Sequence, residues 1–357
     1  TQFGCFTAAL IALTKPGQSL KDGMMANVNN NQGRTTSFTS GVYTTYFGGV
    51  KKLLSEYFSS LVVPQDLPEQ HDKVAIVTGA NKGIGYETAK ALCKLGAHVI
   101  MACRSSVSAN LAVEKIKKEI PDAKVEFIKL DLSRLSSIKE FVAQFKQRNL
   151  PLHILINNAG VMITPFETTE DGYELQFATN HLGHFALTMQ LLDILNDTGC
   201  PDSYARIVTV SSEIHRYGTM ALDNINDNFG YCPYAAYQQS KLANILFTYE
   251  LQRRLLAEGC HVTANALHPG IGNTNLFHNV PSLLLTAQKY AMYWMFKSPE
   301  QCAYTILYVA TSSAVEGLGG RYYDNCEEVQ SSEESYNQDV QRHLWDKSCE
   351  MTKISHE

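Results

Sequence analysis

The sequence predicts an α/β protein built on a doubly wound parallel sheet. Three observations carry that reading. From Lys73 onward, short β-branched runs alternate with longer helical stretches. The runs are apolar throughout rather than alternating, as in strands covered on both faces. Glycines cluster just after the first run, where such a strand would turn into a helix. This alternation gives right-handed crossovers with helices on both sides of the sheet.

The expected strands are 73–79, 98–103, 124–130, 152–157, 206–211, 261–268 and 320–323. They define a main domain over 73–324, with an extension over 1–72 before it and a polar tail over 325–357 after it. The chain opens on Thr1, so it is expected to be processed or to lack upstream sequence, with Met24-Met25 as an internal start. Phe6 to Leu13 is apolar, but it is too short to span a bilayer and has no basic residue before it. Over 42–61, Val42, Tyr46, Val50, Leu53, Leu54, Tyr57, Phe58 and Leu61 recur at helical spacing. Such a helix can lie on a membrane surface or pack on the protein's own core.

Composition sets further bounds. Of 357 residues, 45% are hydrophobic and 18% charged, which excludes a disordered or collagen-like chain. The net charge is −5 with no basic block, so no nucleic-acid partner is expected. Nine cysteines are scattered without a CxxC pair, which suggests neither a zinc knuckle nor a disulfide framework, in a reducing setting.

In an open parallel sheet, ligands bind beyond the carboxyl ends of the strands. After the first strand the chain reads Thr78-Gly79-Ala80-Asn81-Lys82-Gly83-Ile84-Gly85, followed by a helix expected over 86–95. Glycines let the backbone approach a pyrophosphate, and the helix N-terminus supplies N–H donors. This is the phosphate loop of a Rossmann-type domain. Cofactor-binding residues expected here are Gly79, Asn81, Lys82, Gly83, Ile84 and Gly85. The second strand ends in Cys103-Arg104, where an NAD site would carry Asp or Glu. Arg104 can pair with a 2′-phosphate, and Lys82 adds charge, which favours NADP(H) over NAD. At the third strand end, Asp131-Leu132 can meet the adenine, although Asp131 could equally cap the next helix at Ser133. At the fourth, Asn158, Ala159 and Gly160 leave room for a ribose, unless the asparagines simply pin neighbouring strands.

Tyr237 and Lys241 lie four apart in a helical stretch and so share one face. A neighbouring ammonium favours the phenolate, which is expected to lower the Tyr237 pKa toward acid–base use. A second Tyr-x-x-x-Lys pair, Tyr86 and Lys90, falls on the phosphate helix and reads as coincidence. Ser211-Ser212 ends the fifth strand, one crossover before Tyr237. His181, His184 and His268 lack a carboxylate partner and the spacing of a zinc site, so no metal is expected.

TGANKGIG, NNAG, the Ser-Ser strand end, YQQSK and HPG-x3-T together resemble the short-chain dehydrogenase/reductases, in particular the retinol-dehydrogenase-like group. The resemblance covers about 73–324. It implies that Tyr237 donates the proton in reduction and accepts it in oxidation. Lys241 would lower the Tyr237 pKa and bind the nicotinamide ribose. Ser212, rather than Ser211, would hydrogen-bond the substrate oxygen. Asn180 would hold a relay water. Pro269, Gly270 and Thr274 would orient the carboxamide, with Ile271-Gly272-Asn273 departing from the group's pattern. The implied reaction interconverts a lipophilic alcohol, retinoid or polyprenoid, and its carbonyl. The apolar, Met- and aromatic-rich stretch 274–298 suits such a substrate. Peripheral attachment to the cytoplasmic face of an internal membrane, at endoplasmic reticulum or lipid droplet, is expected alongside a cytoplasmic location. An oligomer stays open, as does a non-catalytic dinucleotide-binding role.

Overall fold

Valine, isoleucine and alanine fill the first strand, β1 (Val74–Thr78), and all five of its residues are buried. The computed structural model describes residues 61–64, 67–226, 228–271 and 297–354. After β1 follow α1 (Gly83–Lys94), β2 (His98–Cys103), α2 (Ser106–Glu119), β3 (Val125–Lys129), α3 (Leu135–Lys146) and β4 (Ile154–Asn157). A helical turn (Leu175–Phe177) and a π turn (Ala178–Leu182) lead into α4 (Gly183–Thr198). Then come β5 (Ala205–Val210), α5 (Pro233–Ala257), β6 (Val262–His268), α6 (Pro299–Thr311), β7 (Tyr322–Asp324), β8 (Glu327–Glu328) and α7 (Gln338–Thr352).

The eight strands form one sheet in the order β3-β2-β1-β4-β5-β6-β7-β8. Every neighbouring pair is parallel except β7 and β8, an antiparallel edge too short to announce itself in sequence. Chain order reverses between β1 and β4. Crossovers on either side of that point run in opposite directions, which opens a crevice at the carboxyl ends of these strands.

Both faces are covered. On one, Phe141 and Phe145 of α3, Phe185 of α4 and Phe247 of α5 pack on the sheet. On the other lie Leu92 of α1, Ile116 of α2 and Ile306 of α6. The observed strands match the expected ones to within two residues at each end.

The stretch expected as a polar tail folds back as α7. Its Leu344 and Trp345 are fully buried, and the Trp345 ring meets Phe185 at 5.3 Å and Phe247 at 6.0 Å. Arg254 stacks 4.3 Å over the same indole. The surface-helix candidate 42–61 lies outside the described residues apart from Leu61, as does the apolar stretch 274–298 up to residue 296. Among the described residues, no helix is long and apolar enough to cross a membrane. The eight described cysteines are all free thiols.

Candidate active site

The glycine loop is shaped by close approach. Gly79 takes φ +67°, and a Cβ on it would lie 3.0 Å from the Ala159 Cα. A Cβ on Gly85 would lie 2.5 Å from the Asn158 Nδ2 and 2.6 Å from the Gly79 carbonyl oxygen. Gly83 opens α1 at φ +57°. Lys82 caps that helix in extended backbone, with no side-chain hydrogen bond and no acid in the first turn. The first N–H groups of α1 are therefore left for an anion, with Ile84 half-buried among them. Asn81 ties the loop to α2 by a 2.9 Å bond from its Nδ2 to the Ser108 Oγ. This cradle fits a pyrophosphate.

Arg104 is exposed at the end of β2. Cys103 beside it is buried, which pushes its thiol up to about 12 although the Ala80 and Asn81 backbone N–H groups favour the thiolate. Arg104 lines a cleft of about 320 Å³ with Lys129, Asp131, Arg134 and Glu140. One Asp131 carboxylate oxygen accepts from the Ser133 N–H at 3.1 Å and the Ser133 hydroxyl at 2.7 Å, which fixes the turn before α3, while the helix itself is capped by Arg134 without a side-chain bond. Leu132 is buried against Gly183.

At β4, Asn158 pins β1. Its Nδ2 donates to the Thr78 carbonyl at 2.8 Å. The Thr78 hydroxyl accepts from the backbone N–H of Asn158 and of Ala159, each at 2.9 Å. Sequence reading missed Thr78, although it directly precedes the glycine loop. It weighed His184 only as a metal ligand, whereas its Nδ1 donates to the Asn180 backbone carbonyl at 2.9 Å. Burial holds His184 neutral, at about 4, so its Nε2 is left to accept from the Thr78 hydroxyl at 2.9 Å. His181 likewise bonds Ser348 of α7 at 2.9 Å, and His268 ends β6.

Tyr237 and Lys241 lie on the same face of α5, both buried. The Tyr237 hydroxyl pairs with that of Ser212, the half-buried residue just after β5. Burial raises the Tyr237 pKa, and the Ser212 bond offsets only part of the rise. This corrects the expectation that Lys241 brings that pKa down. The Lys241 Nζ sits 5.7 Å from the phenol ring centroid and donates instead to the Val210 carbonyl at 3.0 Å. Burial lowers Lys241 itself to about 8. The adjacent Ser211 is buried with its one hydroxyl proton donated to the Lys241 carbonyl at 2.7 Å, whereas Ser212 pairs with Tyr237.

Asn180 lies in the π turn, where backbone bonding departs from the regular α-helical ladder. Its Oδ1 accepts from the Val161 N–H at 2.8 Å, and its Nδ2 donates to the Val161 carbonyl and the Ser240 hydroxyl, both at 2.9 Å. Ser240 donates onward to the Tyr237 carbonyl at 2.8 Å, a link sequence did not reveal. Gly160 leaves space beside them, since a Cβ there would lie 3.2 Å from the Asn180 Oδ1 and 3.6 Å from the Lys241 Nζ. Pro269 and Gly270 follow β6, Gly270 at φ +90° against Lys297. Thr274, Gly272 and Asn273 lie outside the described residues. The second pair, Tyr86 and Lys90, also meets on α1, with the Lys90 Nζ 5.5 Å from the Tyr86 ring centroid, but Lys90 is bound to Glu87 at 2.7 Å.

The crevice thus joins an anion cradle to a buried Ser–Tyr–Lys–Asn group. Residues 73–283 match the family described as short chain dehydrogenase. The chain belongs to that family. This short-chain dehydrogenase is 48% identical to human polyprenol dehydrogenase, over 80% of this chain and 87% of that one. It is 41% identical to human retinol dehydrogenase 14, over 77% and 85% respectively. Among solved structures, an uncharacterised protein from Mycobacterium paratuberculosis aligns with TM-score 0.66 at 34% identity, over 82% of this chain and 98% of that one.

Proposed function

We propose that this short-chain dehydrogenase interconverts a lipophilic alcohol and its aldehyde or ketone, with NADP(H) as hydride carrier. The observation that carries the reading is the pairing of the half-buried Ser212 hydroxyl with the buried Tyr237 hydroxyl one helical turn from Lys241, in a fold whose α1 N-terminus is left open for phosphate. The residues of the crevice fit a dinucleotide: Gly79, Gly83 and Gly85 with the α1 N-terminus for the pyrophosphate, Gly160 and Lys241 for the ribose next to the nicotinamide. When bound, NADP(H) supplies or takes up the hydride.

The chain's own residues handle the oxygen and its proton. Two hydroxyls, on Ser212 and Tyr237, converge where a substrate oxygen would sit. Both can donate to it as negative charge develops during reduction. With its pKa raised, Tyr237 is protonated at neutral pH, the form a proton donor needs. Lys241 remains an ammonium up to about pH 8 and places a positive charge beside the developing phenolate. Both amide hydrogens of Asn180 are taken, so a relay water would have to donate to one of its oxygens.

Arg104 supports NADP(H) over NAD, with Lys129 and Arg134 lining the same cleft. The names of the relatives support an isoprenoid-type substrate. So does the apolar stretch 274–298, and 42–61 would hold the protein against the bilayer in which such a substrate dissolves. The test compares kcat/KM for NADPH and NADH with retinal and dolichal as substrates. NADPH should win clearly, and Arg104→Ala should weaken NADPH far more than NADH. Equal use of both cofactors would refute the assignment.

A further inference from the structure

We infer that His215 is a positioning residue for Ser212, and that through it the segment 330–332 near the C-terminus forms part of the active site. The inference rests on the role proposed for Ser212.

His215 lies in the short helical turn Glu213–Tyr217 that follows Ser212, and it is completely buried. Its two ring nitrogens have partners of opposite kind. Nδ1 sits 2.7 Å from the Ser212 carbonyl, which can only accept. Nε2 sits 3.1 Å from the Ser332 backbone N–H, which can only donate. The imidazole is therefore neutral, with its proton on Nδ1, and its orientation cannot be reversed without losing both bonds. Burial also disfavours the charged ring, at about 3. Tyr322 closes one side, ring to ring at 4.9 Å.

The neighbouring residue grips the same segment. Arg216 donates to the Ser331 carbonyl at 3.0 Å and to the Gln330 carbonyl, while its Nε holds Glu213 at 2.7 Å. The segment is fixed from the other side by α5. The Tyr249 hydroxyl meets the Ser331 hydroxyl at 2.8 Å, and Ser331 meets Ser335 at 2.6 Å. Tyr249 stands on the helix that carries Tyr237. Segment 330–332 thus braces the Ser212 turn against the catalytic helix, with His215 as the strut. The Ser212 side chain bonds its own turn only at 3.5 Å, whereas its carbonyl accepts from the His215 N–H at 3.0 Å and, more closely, from the imidazole at 2.7 Å.

The test is a double-mutant cycle on the full chain, with kcat and KM read for carbonyl reduction. His215→Ala should lower kcat about three- to tenfold, the equivalent of one hydrogen bond, with KM for NADPH unchanged. His215→Asn keeps a donor as many bonds from Cα as Nδ1 and should recover most of that loss. His215→Gln keeps only the reach to Ser332 and should not. In a Ser212→Ala background, His215→Ala should cost nothing more, because the serine through which it acts is gone. Any of three results overturns the inference: full kcat in folded His215→Ala, no recovery in His215→Asn, or an equal loss with and without Ser212. If Ser212→Ala alone is fully active, the proposed function fails instead.

Discussion

At Lys241, burial and function pull against each other. An ammonium enclosed in the protein gives up its proton more readily, so the group changes charge near pH 8 rather than near its ordinary value of 10.5. Below that point the lysine is charged; above it, neutral. For the free enzyme, kcat/KM for carbonyl reduction should be flat up to about pH 8 and then fall as the ammonium is lost. Lys241→Arg stays charged throughout, so it should remove the fall while lowering the plateau. A wild-type profile flat to high pH, or an unchanged fall in the Arg variant, would contradict this. The two serines separate in the same way. Ser212→Ala should cut kcat by one to two orders of magnitude. Ser211→Ala removes a buried bond to the Lys241 carbonyl and should act mainly on stability, costing roughly 1–3 kcal/mol by thermal unfolding. Equal losses of kcat would overturn that division. Much of this was legible in sequence, because Tyr237, Lys241 and Ser212 sit at strand ends and on a single helical face. Thr78, His184 and Ser240 were not, since their roles depend on which elements become neighbours. The Tyr237 pKa was misjudged because burial, which spacing does not reveal, outweighs charge.

Among the elements, α1 and α7 make contrasting cases. The phosphate helix was legible because glycine spacing after a buried strand has few other uses. Its first turn begins at Gly83, before the expected Tyr86, and takes in Gly85. A methyl on Gly85 would press on the Asn158 amide and the Gly79 carbonyl, both fixed by backbone bonds. Gly85→Ala should therefore weaken NADPH at least about tenfold in a fluorescence titration, a misplacement effect. Unchanged affinity would count against the cradle. Helix α7 was read as a polar tail because its sequence is mostly charged and polar, with one apolar stripe. That stripe places Trp345 between Phe185, Phe247 and Arg254, and Tyr173 bonds the Met351 carbonyl at 2.8 Å. Trp345→Ala should cost about 3–5 kcal/mol in urea unfolding. A loss below about 1 kcal/mol would show that α7 is dispensable.

For the whole molecule, the doubly wound sheet sets where chemistry can occur, and its crevice between β1 and β4 gathers loops from distant parts of the chain. Strand alternation made this legible. The short edge strand β8 and the π turn at Asn180 escaped because neither has a period long enough to read. The proposed lipophilic substrate should show as kcat/KM rising with substrate chain length, at about 0.8 kcal/mol per buried methylene at most.

The most direct test is NADPH-dependent reduction of an isoprenoid aldehyde by the wild type and by Tyr237→Phe, with NADPH affinity measured in parallel. The substitution removes one hydroxyl and nothing else. The expected result is a loss of at least about 100-fold in kcat with NADPH bound as tightly as before. Substantial turnover by Tyr237→Phe would show that the Ser212–Tyr237 pair is not the site of proton transfer.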